Sequence, residues 1–391
     1  NFFRIIYLMS NFIIHITNTN INNDGRILKE MKSLKTFCQM NNFEIYGVGI
    51  EESVIKEYRN SNIDLNIYTC KRKFSRIFSK LKSLYHAITF FELFIYTLKY
   101  ALKKKPRIIH CHDTLALPIG LVVKFFTGAK LIYDAHELES NKNLQSNINS
   151  SVIKFIELIC WRYIDLLISV SPSICEWYEE NLGKKRNVII LNSPELIDNS
   201  NQDSRKFEIR KKYKIANDET IFVYLGILSP GRGIEKYLKV FSRDDIDSHV
   251  LFVGWGQYEE LIKSKALESQ NIHFHESVDH IDVVNLVKEC DYGLCMIDAE
   301  SLSDYFCLPN KLFEYCFANT PVLASDIPEI SRVVKKHDFG MVCSNNIEYI
   351  AKSVNEMSSI KKEYSFRNIE ELSWQDQEKK LIQNYNFLLN N

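Results

Sequence analysis

Apolar runs of four to six residues, rich in Ile, Val, Leu and Phe, recur along this chain and alternate with stretches of helical periodicity. Continuous apolar runs bounded by turn residues fit strands buried on both faces, and strands separated by helices fit parallel sheets with helical layers. In the first half the expected strands are Arg4–Met9, Phe43–Val48, Ile63–Tyr68, Ile108–Cys111, Lys130–Tyr133, Leu166–Val170 and Val188–Leu191. Helices are expected at Arg26–Met40, Phe74–Lys104, Ala116–Thr127, Ser151–Tyr163 and Pro172–Leu182, the last opened by Pro172 and stopped by Gly183. A second series of strands follows at Ile221–Gly226, His249–Val253, Ile272–His275, Tyr292–Cys295 and Val322–Ala324.

At 391 residues the chain is longer than one hydrophobic core supports, so two α/β domains of roughly 180–200 residues are expected. Residues 1–192 form the first and 205–373 the second, joined by the polar, turn-rich linker 193–204. The terminal helix 374–391, apolar on one face at Leu381, Ile382, Tyr385 and Leu388, is expected to pack back on the first domain. Each half is a doubly wound, Rossmann-like sheet, and such sheets bind ligands outside the carboxyl ends of their strands, here in a cleft between the halves.

The 46% hydrophobic and 25% charged residues are those of a globular protein. Ten cysteines without a CxxC pair read as buried thiols of a reducing compartment, which points to the cytoplasm. His110 and His112 share one face of a strand end, but no further ligand lies nearby in sequence, so no metal site is expected there. The uncharged stretch from Ile5 to Asn23 turns polar after Ile16 and reads as no secretory signal. No apolar run reaches the ~18 residues of a membrane span.

The net charge of zero hides an asymmetry: residues 1–192 hold 26 Lys and Arg against 17 Asp and Glu, and the remainder holds 23 against 32. Much of the surplus lies in 71–105, where ten basic residues interleaved with Phe, Ile, Leu and Tyr meet the single acid Glu92. This pattern suits peripheral contact with an anionic membrane, while a solvated face on a core helix is the plainer alternative. A nucleic-acid partner is not expected, because no recognisable binding motif accompanies the local cluster.

Residues 308–328 read as a loop, a short helix and a buried strand, with Lys311 and Glu314 one turn apart. A helix start beside a lysine suits a diphosphate, and a nearby carboxylate can accept from sugar hydroxyls. The alternative is an ordinary i,i+3 ion pair.

Several segments carry a resemblance. They are NNDGRILKEMKSL at 22–34, IIHCHDTLALPIG at 108–120, AKLIYDAHELES at 129–140, VIILNSP at 188–194, FVYLGILSPGRGIEKYL at 222–238, LFVGWGQYEELI at 251–262 and LPNKLFEYCFANTPVLASDIPE at 308–329. In order and spacing the chain resembles the family 4 glycosyltransferases of the GT-B fold, retaining enzymes that move a sugar from a nucleotide diphosphate donor. The Gly-x-Gly turn at Gly254 and Gly256 would be weak alone.

The resemblance implies a donor site of Gly226, Ser229, Arg232, Gly233, Gly254, Asn310, Lys311, Leu312 and Glu314. It implies catalytic roles for His112, Glu314, Arg232 and Lys311, and an acceptor site of Asp24, Gly25, Arg26, His136 and Glu137. The donor, UDP- or GDP-linked, is a substrate, and neither a cofactor nor a metal is implied, in keeping with the lack of an Asp-x-Asp sequence in a suitable loop. Glu314 matches the family glutamate that contacts the donor ribose. The chain departs from the pattern at Phe306, where the family has its first glutamate, leaving Glu300, Asp304 or the Pro309-Asn310 backbone to stand in. It departs again at Gly226-Ile227-Leu228, where the family often has Gly-Arg-Leu. Arg232 stands where the family commonly has lysine and offers bidentate phosphate pairing.

The implied activity is transfer to a glycan or lipid-linked acceptor in bacterial cell-surface polysaccharide biosynthesis, such as capsule or O-antigen, on the inner face of the cytoplasmic membrane. A nucleotide-sugar 2-epimerase of the same fold, or an inactive scaffold subunit, is the alternative.

Overall fold

The computed structural model describes residues 11–51, 65–143, 146–196, 206–279 and 282–391. Two compact units emerge, one of Asn1–Ile190 with Glu378–Asn391, the other Leu191–Gln377. Each has its own parallel sheet.

The first unit runs β1 (Phe12–Ile16), α1 (Gly25–Met40), β2 (Glu44–Ile50), β3 (Asn66–Cys70), α2 (Lys82–Lys104), β4 (Ile108–His112), α3 (Leu117–Thr127), β5 (Lys130–Ala135), α4 (Asn147–Trp161), β6 (Leu166–Ser169), α5 (Pro172–Leu182) and β7 (Asn187–Ile189). Its seven strands lie in the order β3-β2-β1-β4-β5-β6-β7. The order reverses between β1 and β4, where His15 is in register with His110, and β4 in turn sets His112 beside Asp134 of β5. That reversal is the switch point at which such sheets bind ligands.

The second unit runs α6 (Ile209–Tyr213), β8 (Ile221–Leu225), α7 (Ile234–Phe241), β9 (His249–Val253), α8 (Glu259–Glu268), β10 (Ile272–His275), α9 (Val283–Val287), β11 (Tyr292–Cys295), α10 (Leu302–Tyr305), α11 (Asn310–Phe317), β12 (Val322–Ser325), α12 (Pro328–His337), β13 (Gly340–Cys343) and α13 (Ile347–Ile360). Strand order is β10-β9-β8-β11-β12-β13, with the switch between β8 and β11. Phe222, Tyr224, Tyr237, Phe252 and Met296 pack in its core. Each such side chain contributes about 1.5–3 kcal/mol by leaving water.

The last helix, α14 (Trp374–Asn390), crosses the boundary between units. Its far half is fastened to the first unit: Arg107 donates to the Leu389 carbonyl at 2.8 Å, and Arg186 stacks 3.6 Å from the centre of the Phe387 ring. Its start is fastened to 191–196, where Trp374 N donates to the Pro194 carbonyl and Gln375 exchanges two hydrogen bonds with the Leu196 backbone.

Local chemistry explains several boundaries. Asp24 caps α1 by accepting from Ile27 N at 3.1 Å, and Ser146 caps α4 by accepting from Asn149 N at 3.2 Å. That cap starts α4 four residues ahead of the expected Ser151. The helix expected at Phe74–Lys104 is interrupted: Ser75–Phe78 is a single 3-10 turn, and α2 begins at Lys82. The Glu92 carboxylate takes the backbone N–H groups of Lys73, Phe74 and Ser75 and so ties the turn to α2. The edge strand β13, half-buried and only four residues long, was not expected. The strand expected at Arg4–Met9, the start of that at Ile63–Tyr68 and linker residues 197–204 lie outside the described residues.

Candidate functional site

In the second unit the loop after β8 is built on glycines. The chain turns at Gly226 (φ 116°), whose N–H donates to the Val253 carbonyl at 3.0 Å. The turn after β9 lies against it so closely that a Cβ on Gly254 would stand 1.9 Å from the Gly226 carbonyl oxygen. A Cβ on Gly256 would stand 2.5 Å from the Leu228 carbonyl oxygen. The weak Gly-x-Gly signal thus marks a close approach of two backbones. Gly233 (φ 75°) begins α7 against the Met296 backbone, while Ser229, partly buried, and Arg232 lie in the loop between.

Beside this loop stands α11. Its N-cap is Pro309, which has no side-chain acceptor, so no side chain of the cap residue takes the first amides of the helix. Asn310 at this end is exposed, and the Leu312 side chain is buried in the core. The helix is held from below by Tyr315. Its hydroxyl receives Leu225 N at 3.0 Å and lies 3.0 Å from the Val223 carbonyl, and its ring sits where Gly293 leaves room.

Lys311 reaches over the start of the glycine turn, with Nζ 3.6 Å from the centre of the Tyr224 ring. Burial, with the neighbouring Arg232 acting in the same direction, lowers its pKa to about 8 against the pull of Cys295 and Glu314. Among the described residues, neither Lys311 nor Arg232 has a carboxylate within ion-pair distance. The simple i,i+3 pair of Lys311 with Glu314 is therefore absent, and two like charges share the same neighbourhood. Glu314 follows one turn on, partly buried. Of the residues that could replace the missing first glutamate, Asp304 accepts from Ser301 Oγ at 2.7 Å and closes the N-terminus of α10, whereas Glu300 is exposed.

The first unit holds a second polar cluster, at its own switch point. Asp134 lies at its centre: Arg26 donates to both carboxylate oxygens at 3.0–3.3 Å, and His136 Nε2 lies at 3.1 Å. Arg26 also donates to the Ile190 carbonyl at 2.9 Å and approaches Glu30 at 3.1 Å. It was expected to meet an acceptor, but its guanidinium is buried and fully engaged inside the unit, so it holds the loop instead. Asp24 is the helix cap, and Gly25 is exposed beside it.

His112 is completely buried, with Nε2 2.9 Å from His15 Nδ1 and Nδ1 3.3 Å from His136 Nε2. The Tyr385 hydroxyl of α14 bonds His110 Nδ1 at 2.6 Å and His15 Nε2 at 3.2 Å. Burial, joined by neighbouring imidazoles, holds His15 and His112 well below the usual histidine range and leaves both neutral. His136 is different. Burial opposes its charge, but Asp134 and Asp113 push its pKa up to about 9. The cation at the accessible edge is His136, with exposed Glu137 beside it; Glu137 meets Lys142 at 3.5 Å. Asp113 takes φ 64° and ψ 163°, a strained conformation for a non-glycine residue, of the kind that gathers at functional sites.

His15, Glu30, His110 and His112 bring potential metal-ligand atoms within 4.8 Å of one another, as do His112, Asp134 and His136. The spatial partners of the His110–His112 pair come from β1, α1 and β5, beyond the reach of local spacing. The 2.9 Å contact between His15 and His112 is shorter than the roughly 3.3 Å that separates two nitrogens on one tetrahedral zinc at 2.0–2.1 Å. The Arg26 guanidinium occupies the same nest. Hydrogen bonds account for this geometry better than a shared metal.

Asp134, Tyr315 and His15 were not singled out by the sequence, and Tyr385 was legible only as part of the apolar face of the last helix. Asp134 carried a signal, since it alternates with His136 along β5 and both project to one face.

No curated protein sequence matches the chain. Among solved structures, sucrose-phosphate synthase from Thermosynechococcus elongatus superposes with a TM-score of 0.74 at 14% identity, covering 97% of this chain and 99% of that one. Anabaena HepE in complex with UDP-glucose gives 0.71 at 14%, covering 96% and 99%. The lipopolysaccharide outer core galactosyltransferase WaaB gives 0.68 at 14%, covering 97% and 99%. These likenesses show the fold, which is GT-B. Residues 205–369, within the second unit, match the family described as Glycosyl transferases group 1.

Proposed function

We propose that this chain is a retaining, metal-independent glycosyltransferase of family 4 that moves a sugar from a UDP- or GDP-linked donor to a glycan or lipid-linked acceptor in bacterial cell-surface polysaccharide biosynthesis. The observation that carries this reading is the pair Arg232 and Lys311, two cations that have no carboxylate partner among the described residues, beside a glycine turn and a helix whose N-cap is Pro309. Breaking a sugar–phosphate bond leaves growing negative charge on the diphosphate, and preorganised donors placed there lower the barrier by about 3 kcal/mol each. The Gly226 turn lets the backbone approach the phosphates, and Glu314 receives ribose hydroxyls. In the first unit His136 and Glu137 offer a cation and an anion to the acceptor, and the basic segment 71–105 meets an anionic membrane from the cytoplasmic side. The match of 205–369 to the group 1 glycosyl transferases supports glycosyl transfer, and the binding of UDP-glucose by HepE supports a nucleotide-sugar donor.

The test is calorimetric titration with UDP, GDP, ADP and CMP, with and without EDTA, followed by product analysis with the matching sugar nucleotide. Micromolar binding of one diphosphate that survives EDTA and vanishes in Glu314→Ala is the expected result. A free epimerised sugar nucleotide would replace this reading with epimerisation, and binding of none of the nucleotides would replace it with a scaffold.

A further inference from the structure

The helices α2, α3 and α4 lie side by side on one face of the first sheet. On α4 apolar residues lie on both sides, with Ile153, Cys160 and Trp161 buried. Its inward stripe contains a carboxylate, Glu157, which Thr114, Tyr133 and Tyr178 satisfy with hydrogen bonds. Its outward stripe, Ile148, Val152, Phe155, Leu158 and Ile159, follows the spacing of one helical face, and Ile148 and Phe155 are 76% and 62% exposed. At the end of the neighbouring α3, Phe125 and Phe126 are 83% and 62% exposed. An apolar surface of this extent on a folded domain marks an interaction site.

The charges identify the partner. The three helices contain two acids: Glu157 is buried among hydroxyl donors, and Glu92, half-exposed, is taken up by the backbone N–H groups of Lys73, Phe74 and Ser75. Apart from Glu92, which is engaged in this way, the three helices carry no carboxylate outside the core, while exposed Lys99, Lys103 and Lys154, with Lys71, Lys73 and Arg76 just before α2, present cations. A second copy packed on this face by two-fold symmetry would bring like charges together. An anionic bilayer matches both properties, since its headgroups take the lysines and its acyl boundary takes the apolar stripe. Among the described residues no helix is long and apolar enough to cross a membrane, which leaves an interfacial mode.

We propose that the outward stripe of α4, together with Phe125 and Phe126 of α3, inserts shallowly into an anionic lipid bilayer. The proposal extends the reading of 71–105 as a membrane contact, but the apolar stripe lies on different elements and can be tested alone.

The experiment is flotation of the full chain with phosphatidylcholine vesicles, with and without phosphatidylglycerol. The wild type floats with the anionic vesicles, and Ile148→Ser/Phe155→Ser lowers the partition coefficient at least about tenfold with unchanged thermal melting, both side chains being exposed. Phe155→Trp, quenched by brominated lipids, reports the insertion directly. Neutralising Lys71, Lys73 and Arg76 lowers binding by about fivefold per charge. Unchanged flotation of the double serine variant overturns the proposal. So does a wild type that self-associates, ignores vesicles and becomes monomeric in that variant. Nucleotide titration of the double variant reads the donor site separately, so the two proposals fail independently.

Discussion

Lys311 Nζ sits 3.6 Å from the centre of the Tyr224 ring, so the ammonium is held by a π face where a carboxylate would ordinarily hold it. A cation kept in this way is available to an incoming anion but poorly solvated, and desolvation lowers its pKa to about 8. Diphosphate affinity is therefore expected to fall as pH rises through about 8, by roughly tenfold per lost charge interaction. Lys311→Arg, which stays charged, removes that pH dependence. Because its folded pKa is depressed, the lysine contributes most to stability above its unfolded value, near 10.5, and that contribution is lost as pH falls through about 8. Lys311→Met should accordingly raise stability by about 2–3 kcal/mol at pH 7 while abolishing UDP binding, as read by denaturation and calorimetry.

The two glycine turns make a sharper prediction. A methyl on Gly254 meets the Gly226 carbonyl at 1.9 Å, in a backbone region that side chains rarely enter. Gly254→Ala should cost several kcal/mol, on the order of 3 or more, and displace the loop that faces Lys311. Urea denaturation and nucleotide titration together check it, and binding within threefold of wild type would contradict the assigned role of the turn.

Most strands of both sheets, the glycine turns and the Lys311 helix were legible because each rests on local chemistry, but β1 at Phe12–Ile16 was not expected, the first strand being placed at Arg4–Met9, and neither was the edge strand β13. The position of Arg26 was not legible. Its neighbours Asp24 and Gly25 lie at the expected helix start, but its partner Asp134 is 108 residues away, and only the register of β1, β4 and β5 brings the two together. His112 illustrates the same limit. Its place at the end of β4 could be read from the apolar run before it, whereas its burial behind His136 depends on His15 and Tyr385 from opposite ends of the chain. The break before α2 escaped because it rests on the Glu92 side chain, a contact that periodicity does not register.

Tyr315 ties α11 to β8 by accepting from Leu225 N. Tyr315→Phe leaves that buried N–H and the Val223 and Leu294 carbonyls without the hydroxyl, at a cost of about 1–3 kcal/mol. Since the helix carries Lys311 and Glu314, the donor KM should rise more than kcat falls, a split that plain destabilisation below the melting point would not give.

Asp134 keeps Arg26 and His136 charged in a buried place. Asp134→Asn strands the guanidinium without its partner and should cost about 3–5 kcal/mol. His136, raised from 6.5 to about 9, contributes stability that is fully present below about pH 6.5 and is lost as pH rises through about 9. Chemical denaturation from pH 6 to pH 10 should show a fall of about 3 kcal/mol from this group, and His136→Gln should flatten that part of the profile.

Asp113 separates strain from function. Its φ of 64° and ψ of 163° suit glycine, yet the position carries a carboxylate whose Oδ1 lies 3.7 Å from His136 Nδ1. The carboxylate at this strained position helps to raise the His136 pKa. Asp113→Gly should relieve about 1–2 kcal/mol of strain at alkaline pH, where His136 is neutral. It should at the same time lower the His136 pKa from about 9, a shift that NMR titration of the imidazole follows directly. If the glycine variant gained stability with the His136 titration unmoved, Asp113 would have no hold on the imidazole, and the strain would serve the loop alone.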